Sequence, residues 1–284
     1  MPEMTGRTVV VTGATSGIGL ETALGLARLG AAVSLVARDR AKGQHALELV
    51  RAASSSGSPR LFLADLASLA QVRRLAEDLL SAHPRLEVLV NNAGAIHRTR
   101  KLSAEGFEMT LAVNHLAPFL LTNLLLERLR ASAPARVVTV ASEAHRSARL
   151  DLDDLAGERG AYSGWSAYRR SKLANILFAN ELARRLAGEA VTSNSLHPGV
   201  VATGFGQNDP GWFRLLITLG RPFLTRPDKG ARTTLHLATA PELARVSGRY
   251  FKDLREARPS ASALDPEAQR RLWEVSARMV GLAS

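Results

Sequence analysis

A glycine-rich turn near the N-terminus restricts the fold of this chain more than any other feature. It runs Thr12-Gly13-Ala14-Thr15-Ser16-Gly17-Ile18-Gly19 and separates a β-branched run from a segment with helical apolar spacing. Glycine permits a tight turn and close approach to the backbone, and the following helix N-terminus favours a phosphate group. The pattern predicts a dinucleotide site, although an ordinary strand–helix turn is the alternative. The contacts predicted here are Gly13, Ser16, Gly17, Ile18 and Gly19.

Strand and helix patterns alternate along the rest of the chain. Strands are predicted at 9–11, 32–37, 60–64, 86–90, 136–140 and 191–196. Helices are predicted at 20–29, 41–53, 69–80, 107–129 and 166–186, with Gly30 as a C-terminal glycine and Pro118 as a kink. This alternation predicts an α/β fold: a Rossmann-type, doubly wound parallel sheet of about seven strands with helices on both faces. No linker divides the chain, so residues 1–284 are expected to form a single domain.

Composition excludes several other classes of protein. The net charge is +11, but the arginines that dominate it are scattered, so nucleic-acid binding is not expected. There are no cysteines, which excludes disulfides and thiolate chemistry, and no metal site is predicted. No apolar stretch of roughly 18 residues and no signal-peptide h-region is apparent, so a cytoplasmic protein without a transmembrane segment is expected.

The end of the second predicted strand bears on the choice of dinucleotide. An NAD site commonly has an acidic residue there to bind the ribose 2′-hydroxyl. Here Ala37 occupies that place, and Arg38 offers a fork of donors for the 2′-phosphate of NADP. The alternative is that Asp39 binds ribose hydroxyls, which would favour NAD. Asp65, followed by Leu66 at the end of the third strand, is predicted to contact the adenine or to cap a helix.

Tyr168 and Lys172 are four residues apart on a predicted helix and therefore share one face. A free tyrosine has a pKa of about 10, and a neighbouring ammonium would stabilise the phenolate and lower that value. Ser142 follows the fifth strand and could hold a substrate oxygen while Tyr168 transfers its proton. Its alternative is a hydroxyl at the end of a strand. The three residues indicate hydride transfer to or from a carbonyl carbon.

Together these motifs resemble those of the short-chain dehydrogenase/reductase family, and the resemblance covers nearly the whole chain. The motifs that carry it occur in the family's order: Thr12 to Gly19, Asn91-Asn92-Ala93-Gly94, Asn114, Ser142, Tyr168-x-x-Ser-Lys172 and Pro198-Gly199. The resemblance implies that Tyr168 is the acid-base, that Lys172 lowers its pKa and binds the nicotinamide ribose, and that Ser142 orients the carbonyl. Asn114 would hold a relay water, or alternatively cap a local bend. Further implied cofactor contacts are Asn91, Ala93, Gly94, Pro198, Gly199, Val200 and Thr203.

Within the family, the chain most resembles the retinol dehydrogenase-like branch, near WW-domain oxidoreductase and protochlorophyllide reductase relatives. The segments behind this are 38–43, 171–175, 196–199, 247–251, 271–276 and the long stretch between Ser142 and Tyr168. The branch usually prefers NADP. The chain departs from it by starting at the first strand, without an N-terminal anchor, and by carrying Ala141 in place of a second serine. These departures favour a soluble bacterial-type member.

Residues 204–226 lie where the family has its substrate lid, and nine of them are large apolar side chains. An apolar pocket, plain core packing and a membrane-surface helix are the three interpretations. The leading functional hypothesis is an NADP(H)-dependent oxidoreductase for an apolar aldehyde, ketone or alcohol, with NAD(H) as the alternative cofactor. The second is a non-enzymatic sensor that binds the dinucleotide. The family resemblance also leaves open a homo-oligomer that pairs through the two long helices.

Overall fold

The computed structural model describes residues 3–199 and 227–282. Its strands form one sheet in the order β3-β2-β1-β4-β5-β6-β7-β8, parallel throughout except for the β7–β8 hairpin. The strands are β1 (Thr8–Thr12), β2 (Ala32–Ala37), β3 (Arg60–Leu63), β4 (Val88–Asn91), β5 (Ala135–Val140), β6 (Val191–His197), β7 (Tyr250–Lys252) and β8 (Arg255–Glu256). The predicted doubly wound parallel sheet is confirmed, with eight strands in place of about seven.

Helices cover both faces of this sheet. They are α1 (Gly17–Arg28), α2 (Arg40–Ala53), α3 (Leu69–Ala82), α4 (Met109–Ala131), α5 (Gly164–Arg185), α6 (Pro227–Thr239) and α7 (Pro266–Met279). Side chains of α1, α2 and α6 pack in one apolar cluster and those of α3, α4, α5 and α7 in another. The two clusters divide β1 residue by residue, because Val9 and Val11 belong to the first and Val10 to the second. This explains the continuous apolar run in β1, which is buried on both sides.

The end of α1 follows the predicted glycine stop. Gly30 has φ +89°, and its N–H donates to Ala27 O while the N–H of Ala31 donates to Leu26 O. These two bonds define a Schellman motif, which glycine favours because the left-handed conformation costs it no steric strain. The motif returns the chain directly into β2.

The crevice that positions the candidate site opens beside β1. This strand lies between β2 and β4, so the sheet grows in opposite directions from it. Loops leaving the carboxyl ends of β1 and β4 therefore diverge to opposite faces, and ligands of open α/β sheets bind in such a crevice. Thr12 and Asn91, the last residues of the two strands, lie at its base.

Helix α4 corrects one expectation from the sequence. Its 23 residues are long and apolar enough to cross a membrane, although no such stretch was expected, but 72% of its apolar window is buried inside the protein. That burial is typical of a core helix. The helix has π geometry over Ala112–Leu116, where the Ala117 N–H donates to Ala112 O. This widened turn lies immediately before Pro118, which has no N–H to donate.

Candidate active site

In the glycine turn after β1, positions 13 and 19 have no room for a side chain. Gly13 and Gly17 have φ values of +66° and +56°, in the left-handed region. A Cβ on Gly13 would lie 2.9 Å from the Cα of Ala93, and one on Gly19 would collide with Gly13 O. Ser16 is the N-cap of α1, but its side chain makes no capping hydrogen bond. The first N–H groups of the helix therefore do not donate to the N-cap side chain. The arrangement fits an anionic pyrophosphate.

Thr12 and Asn92 connect this turn to the end of β4, a role that the sequence did not reveal for either residue. The Thr12 hydroxyl accepts from the N–H groups of Asn92 (3.0 Å) and Ala93 (3.1 Å) and donates to Val90 O (3.3 Å). The Asn92 amide donates in return to Thr12 O at 2.8 Å. Only their position as polar residues at the carboxyl ends of two neighbouring strands could have indicated this role.

Asn91 forms part of the wall of a small cleft at the crevice. Its Nδ2 donates to the Thr122 hydroxyl at 2.9 Å, while its Oδ1 has no hydrogen-bond partner among the described residues although the residue is buried. Leu66 and Ala93 line the same cleft. The structure therefore brings together three of the residues predicted to contact the cofactor.

Arg38 and Asp39, the two residues proposed to select the dinucleotide, have different environments in the structure. Arg38 is exposed directly after β2, whereas Asp39 is the N-cap of α2 and accepts from the Lys42 N–H at 2.9 Å. The Asp39 carboxylate thus already has a partner within its own helix. For Asp65 the alternative as a helix cap is wrong, because the N-cap of α3 is Ser68.

Tyr168 and Lys172 lie on the first turns of α5. The Ser142 hydroxyl donates a hydrogen bond to the Tyr168 oxygen. The Lys172 Nζ lies 5.6 Å from the centroid of the Tyr168 ring and donates to Val140 O at 3.0 Å. The last residue of β5 therefore holds the lysine beside the tyrosine. The structure brings the three residues together as the sequence predicted.

The electrostatics of this cluster differ from the sequence argument. Burial raises the pKa of Tyr168 above its ordinary value, and the hydrogen bond from Ser142 only partly offsets that effect. Burial also lowers the pKa of Lys172 to about 8. Among the protein's own groups, the lysine does not depress the tyrosine pKa as expected. The physical reason is that both groups are desolvated, which disfavours the charged form of each.

Asn114 connects the cluster to the segment after β4. Its Oδ1 accepts from the Ala95 N–H at 2.7 Å, and its Nδ2 lies 2.9 Å from both Ala95 O and the Ser171 hydroxyl. A Cβ on Gly94 would lie 3.4 Å from Lys172 Nζ and 3.5 Å from Asn114 Oδ1. Asn114 is thus adjacent to the lysine, in the π turn of α4. These contacts agree with the interpretation that Asn114 fixes a local bend, and its role in holding a relay water stays a prediction.

The remaining predicted contacts lie at the end of β6 or beyond it. Pro198 and Gly199 follow that strand directly. Val200, Thr203 and the predicted lid at 204–226 lie outside the described residues, so their roles stay predictions.

A polar network behind Ser142 was not found from the sequence. Glu143 accepts from the Tyr250 hydroxyl (2.8 Å), Arg146 Nε (3.0 Å) and Lys252 Nζ (3.3 Å). Burial opposes ionisation of Glu143, but these hydrogen bonds outweigh it and lower its pKa to about 2. The network attaches the turn after Ser142 to β7. Arg146 is only three residues from Glu143, but Tyr250 and Lys252 lie more than a hundred positions away, too far for a local pattern to reveal them.

The Glu143 network is expected to make stability depend on acid. The folded pKa is about 2 against an ordinary 4.5, so the carboxylate stabilises the fold above pH 4.5 and loses that effect as pH falls towards 2. Glu143→Gln should lower the free energy of unfolding at pH 7 by roughly 1–2 kcal/mol, allowing for solvent screening. The difference in the free energy of unfolding between wild type and Glu143→Gln should disappear as the pH falls from 5 to about 2. Urea titrations across that range, with exposed Glu77→Gln as control, measure it; a gap independent of pH would contradict the assignment.

Crevice, glycine turn and Ser–Tyr–Lys cluster together define a dinucleotide-binding α/β oxidoreductase. Residues 7–212 match the family model described as short chain dehydrogenase. Retinol dehydrogenase 14 of Mus musculus is 45% identical, with 98% of this chain and 87% of that protein aligned. The chain belongs to the short-chain dehydrogenase/reductase family, whose members bind a nicotinamide dinucleotide, and it is similar to the retinol dehydrogenases.

Solved structures agree with this assignment. A crystal structure of an uncharacterised protein from Mycobacterium paratuberculosis matches with a TM-score of 0.79 and 35% identity, over 99% of this chain and 96% of that one. An NAD(P)-dependent gluconate 5-dehydrogenase structure from Beutenbergia cavernae, described with bound NADP at low occupancy, matches with a TM-score of 0.71 and 30% identity. That alignment covers 88% of this chain and 96% of the other.

Proposed function

We propose that this protein transfers a hydride between NADP(H) and the carbonyl or alcohol carbon of a small apolar substrate. The observation that carries the proposal is the contact of the Ser142 hydroxyl with the Tyr168 oxygen, beside Lys172. Two hydroxyls that meet at one point can share a single substrate oxygen. The crevice at the ends of β1 and β4 opens on the same side of the sheet, since these strands and β5 are parallel.

Each catalytic side chain has a distinct task in this proposal. The dinucleotide supplies or accepts the hydride when bound. Ser142 donates a hydrogen bond to the carbonyl oxygen, and Tyr168 gives that oxygen its proton in reduction or removes it in oxidation. Lys172 has three donors and one of them is directed to Val140 O, so the others remain for the Tyr168 oxygen and a ribose hydroxyl. Asn114 holds the adjacent backbone and supports a proton path to solvent.

The preference for NADP rests on Arg38. Its guanidinium is exposed at the end of β2, where a 2′-phosphate would lie, and Asp39 is engaged in capping α2. Arginine binds phosphate with two parallel hydrogen bonds, whereas a carboxylate there would repel it. The bound NADP in the Beutenbergia cavernae structure supports the same choice.

Arg38→Asp is expected to turn the preference from NADP towards NAD. The change removes a charge-assisted contact worth about 1.5–3 kcal/mol, so affinity for NADPH should fall roughly ten-fold or more. Fluorescence titration with NADPH and NADH measures both affinities. Arg51→Asp, near the C-terminal end of α2, changes the total charge equally and should leave the ratio of NADPH to NADH affinity unchanged. Equal NADPH affinity in wild type and Arg38→Asp would mean that another basic residue binds the phosphate.

The apolar character of the substrate rests on sequence and on relatives. Residues 204–226 are rich in large apolar side chains, among them Trp212, Phe213 and Leu216, and the relatives of this chain include retinol dehydrogenases. Residues of the lid are outside the described part of the chain.

One screen tests the proposal as a whole. Purified protein is incubated with NADPH and NADH in parallel, against aliphatic and aromatic aldehydes and ketones, and with the oxidised cofactors against the matching alcohols. Cofactor oxidation with at least one apolar carbonyl is expected, faster with NADPH. Tight dinucleotide binding without turnover on any substrate would instead favour the sensor hypothesis.

A further inference from the structure

An exposed tryptophan lies on the first turn of α5. Trp165 is 55% exposed, whereas Trp273 in the core is 8% exposed. A large aromatic side chain gains considerable free energy from burial, so an indole left in solvent calls for an explanation. No residue implied by the family motifs falls at this position.

The Trp165 indole lies against the proposed acid-base. Its ring centroid is 5.5 Å from that of Tyr168, and the two planes are inclined by only 22°. Trp165, Tyr168 and Lys172 are spaced i, i+3 and i+7 on α5, so they form one stripe along the helix. The indole therefore extends the row of side chains that contains the reacting hydroxyl.

The turn that carries Trp165 is firmly held. Ser163 caps α5 by accepting from the Ser166 N–H at 3.3 Å. The Tyr162 hydroxyl lies 2.9 Å from both His97 O and a carboxylate oxygen of buried Glu108. Gly164 packs on His97 O so closely that a Cβ would collide with it. The first turn of α5, which carries the indole, is therefore held in place by hydrogen bonds and by contacts with the segment that follows Gly94.

We propose that Trp165 is a specificity-determining residue that binds a flat apolar group attached to the reacting carbonyl. The inference rests on the proposed function, because it places the carbonyl oxygen at Tyr168 and Ser142. A substituent on that carbonyl would lie within a few ångströms of the Tyr168 phenol. The Trp165 indole, stacked on the same phenol, is at a similar distance from it. A planar group can lie on the exposed indole face, and aromatic pairs gain free energy beyond simple burial. A saturated ring of the same size presents no flat face and gains less.

Two aldehydes of nearly equal size separate flatness from hydrophobicity. Benzaldehyde has a planar ring, and cyclohexanecarbaldehyde has a puckered one. The variants are Trp165→Ala and Trp165→Phe, with Leu49→Ala as a control that removes an apolar side chain exposed elsewhere, on α2. For each protein, kcat and KM are measured on both aldehydes and on acetaldehyde, together with the affinity for NADPH.

In wild type, benzaldehyde should have the higher kcat/KM of the pair. Trp165→Ala should lower kcat/KM for benzaldehyde by about 2- to 10-fold, mainly through KM, and should remove the preference over cyclohexanecarbaldehyde. Trp165→Phe, which keeps a flat ring, should retain most of the preference. Acetaldehyde kinetics, NADPH affinity and the pH profile should stay within about two-fold of wild type, and Leu49→Ala should match wild type throughout.

Other outcomes would overturn the inference. An equal fall in kcat on all three aldehydes with a displaced pH profile would mean that Trp165 only positions Tyr168. Unchanged kinetics in Trp165→Ala would mean that the indole does not contact substrate. In both cases wild type remains active, so the proposed function survives. A wild type that reduces none of the aldehydes would overturn the proposed function and this inference with it.

Discussion

Replacing Tyr168 with phenylalanine is expected to reduce kcat by at least roughly 10²–10⁴-fold, the usual contribution of general acid-base catalysis. The ring can still stack on Trp165 and pack beside Lys172, but no proton can be transferred. Dinucleotide affinity should therefore change little. Stopped assays with a carbonyl found in the screen, alongside fluorescence titration with NADPH, measure the two effects separately.

Tyr162→Phe is the matched control for this experiment. It removes a hydroxyl six residues earlier, which contacts His97 O and Glu108 and not Ser142. This variant should be less stable and still catalytically active. If Tyr168→Phe kept turnover within a few-fold of wild type, the tyrosine would not be the acid-base.

Lys172→Met is expected to weaken function and to stabilise the fold. In the proposed cofactor complex the Lys172 ammonium donates to the Tyr168 oxygen and to a ribose hydroxyl. Without it, a higher pH should therefore be needed for activity, and cofactor binding should weaken. In the folded protein burial lowers the lysine pKa to about 8, from an ordinary 10.5. At pH 7 wild type therefore carries an unfavourable buried charge that methionine removes. Val140 O keeps a donor in Asn175 Nδ2 at 3.3 Å.

The sign of this stability effect depends on pH. Below pH 8 both folded and unfolded chains bind the lysine proton, and the variant should be more stable by roughly 1–3 kcal/mol. Between about pH 8 and 10.5 only the unfolded chain keeps it, so wild-type stability should rise and the difference should narrow. Denaturant titrations at pH 7, 8.5 and 10 measure the trend, with exposed Lys229→Met as control. A variant less stable than wild type at pH 7 would show that the ammonium is satisfied by contacts that outweigh its burial.

The sequence by itself was sufficient for the elements of the fold, because their signals are local. β2 was predicted with its observed ends, Ala32 to Ala37, from a run that is apolar except for Ser34 and is followed by Arg38 and Asp39. The stop at Gly30 was equally readable, since a left-handed residue after a helix has a strong preference for glycine. The spacing of Tyr168 and Lys172 fixed their shared face through helix geometry alone.

Part of the candidate site could also be predicted from the sequence, because the order of strands and polar residues along the chain indicates which side chains meet. Polar residues placed after parallel strands must meet at one edge of the sheet, so the approach of Ser142 to the end of the crevice was predictable once the alternation was recognised. The capping of α2 by Asp39 was not resolved in advance. From the sequence its carboxylate was assigned only ribose hydroxyls as possible partners, and the structure shows that it accepts from the Lys42 N–H instead.

Only the tertiary structure decided the environment of each group. The bonds from Thr12 to Asn92 cross about eighty positions of sequence, and the Glu143 network joins residues more than a hundred apart. Burial of Tyr168 and Lys172 reversed the pKa expected for the tyrosine, because desolvation depends on every neighbour in space and spacing along one helix does not report it. Trp165 shows the opposite effect of tertiary structure. A tryptophan in a sequence predicts a largely buried side chain, and only the packing of the folded protein shows that this one is exposed to solvent. Sequence determines which local elements form, whereas the dielectric and the partners around a side chain arise only when distant elements meet.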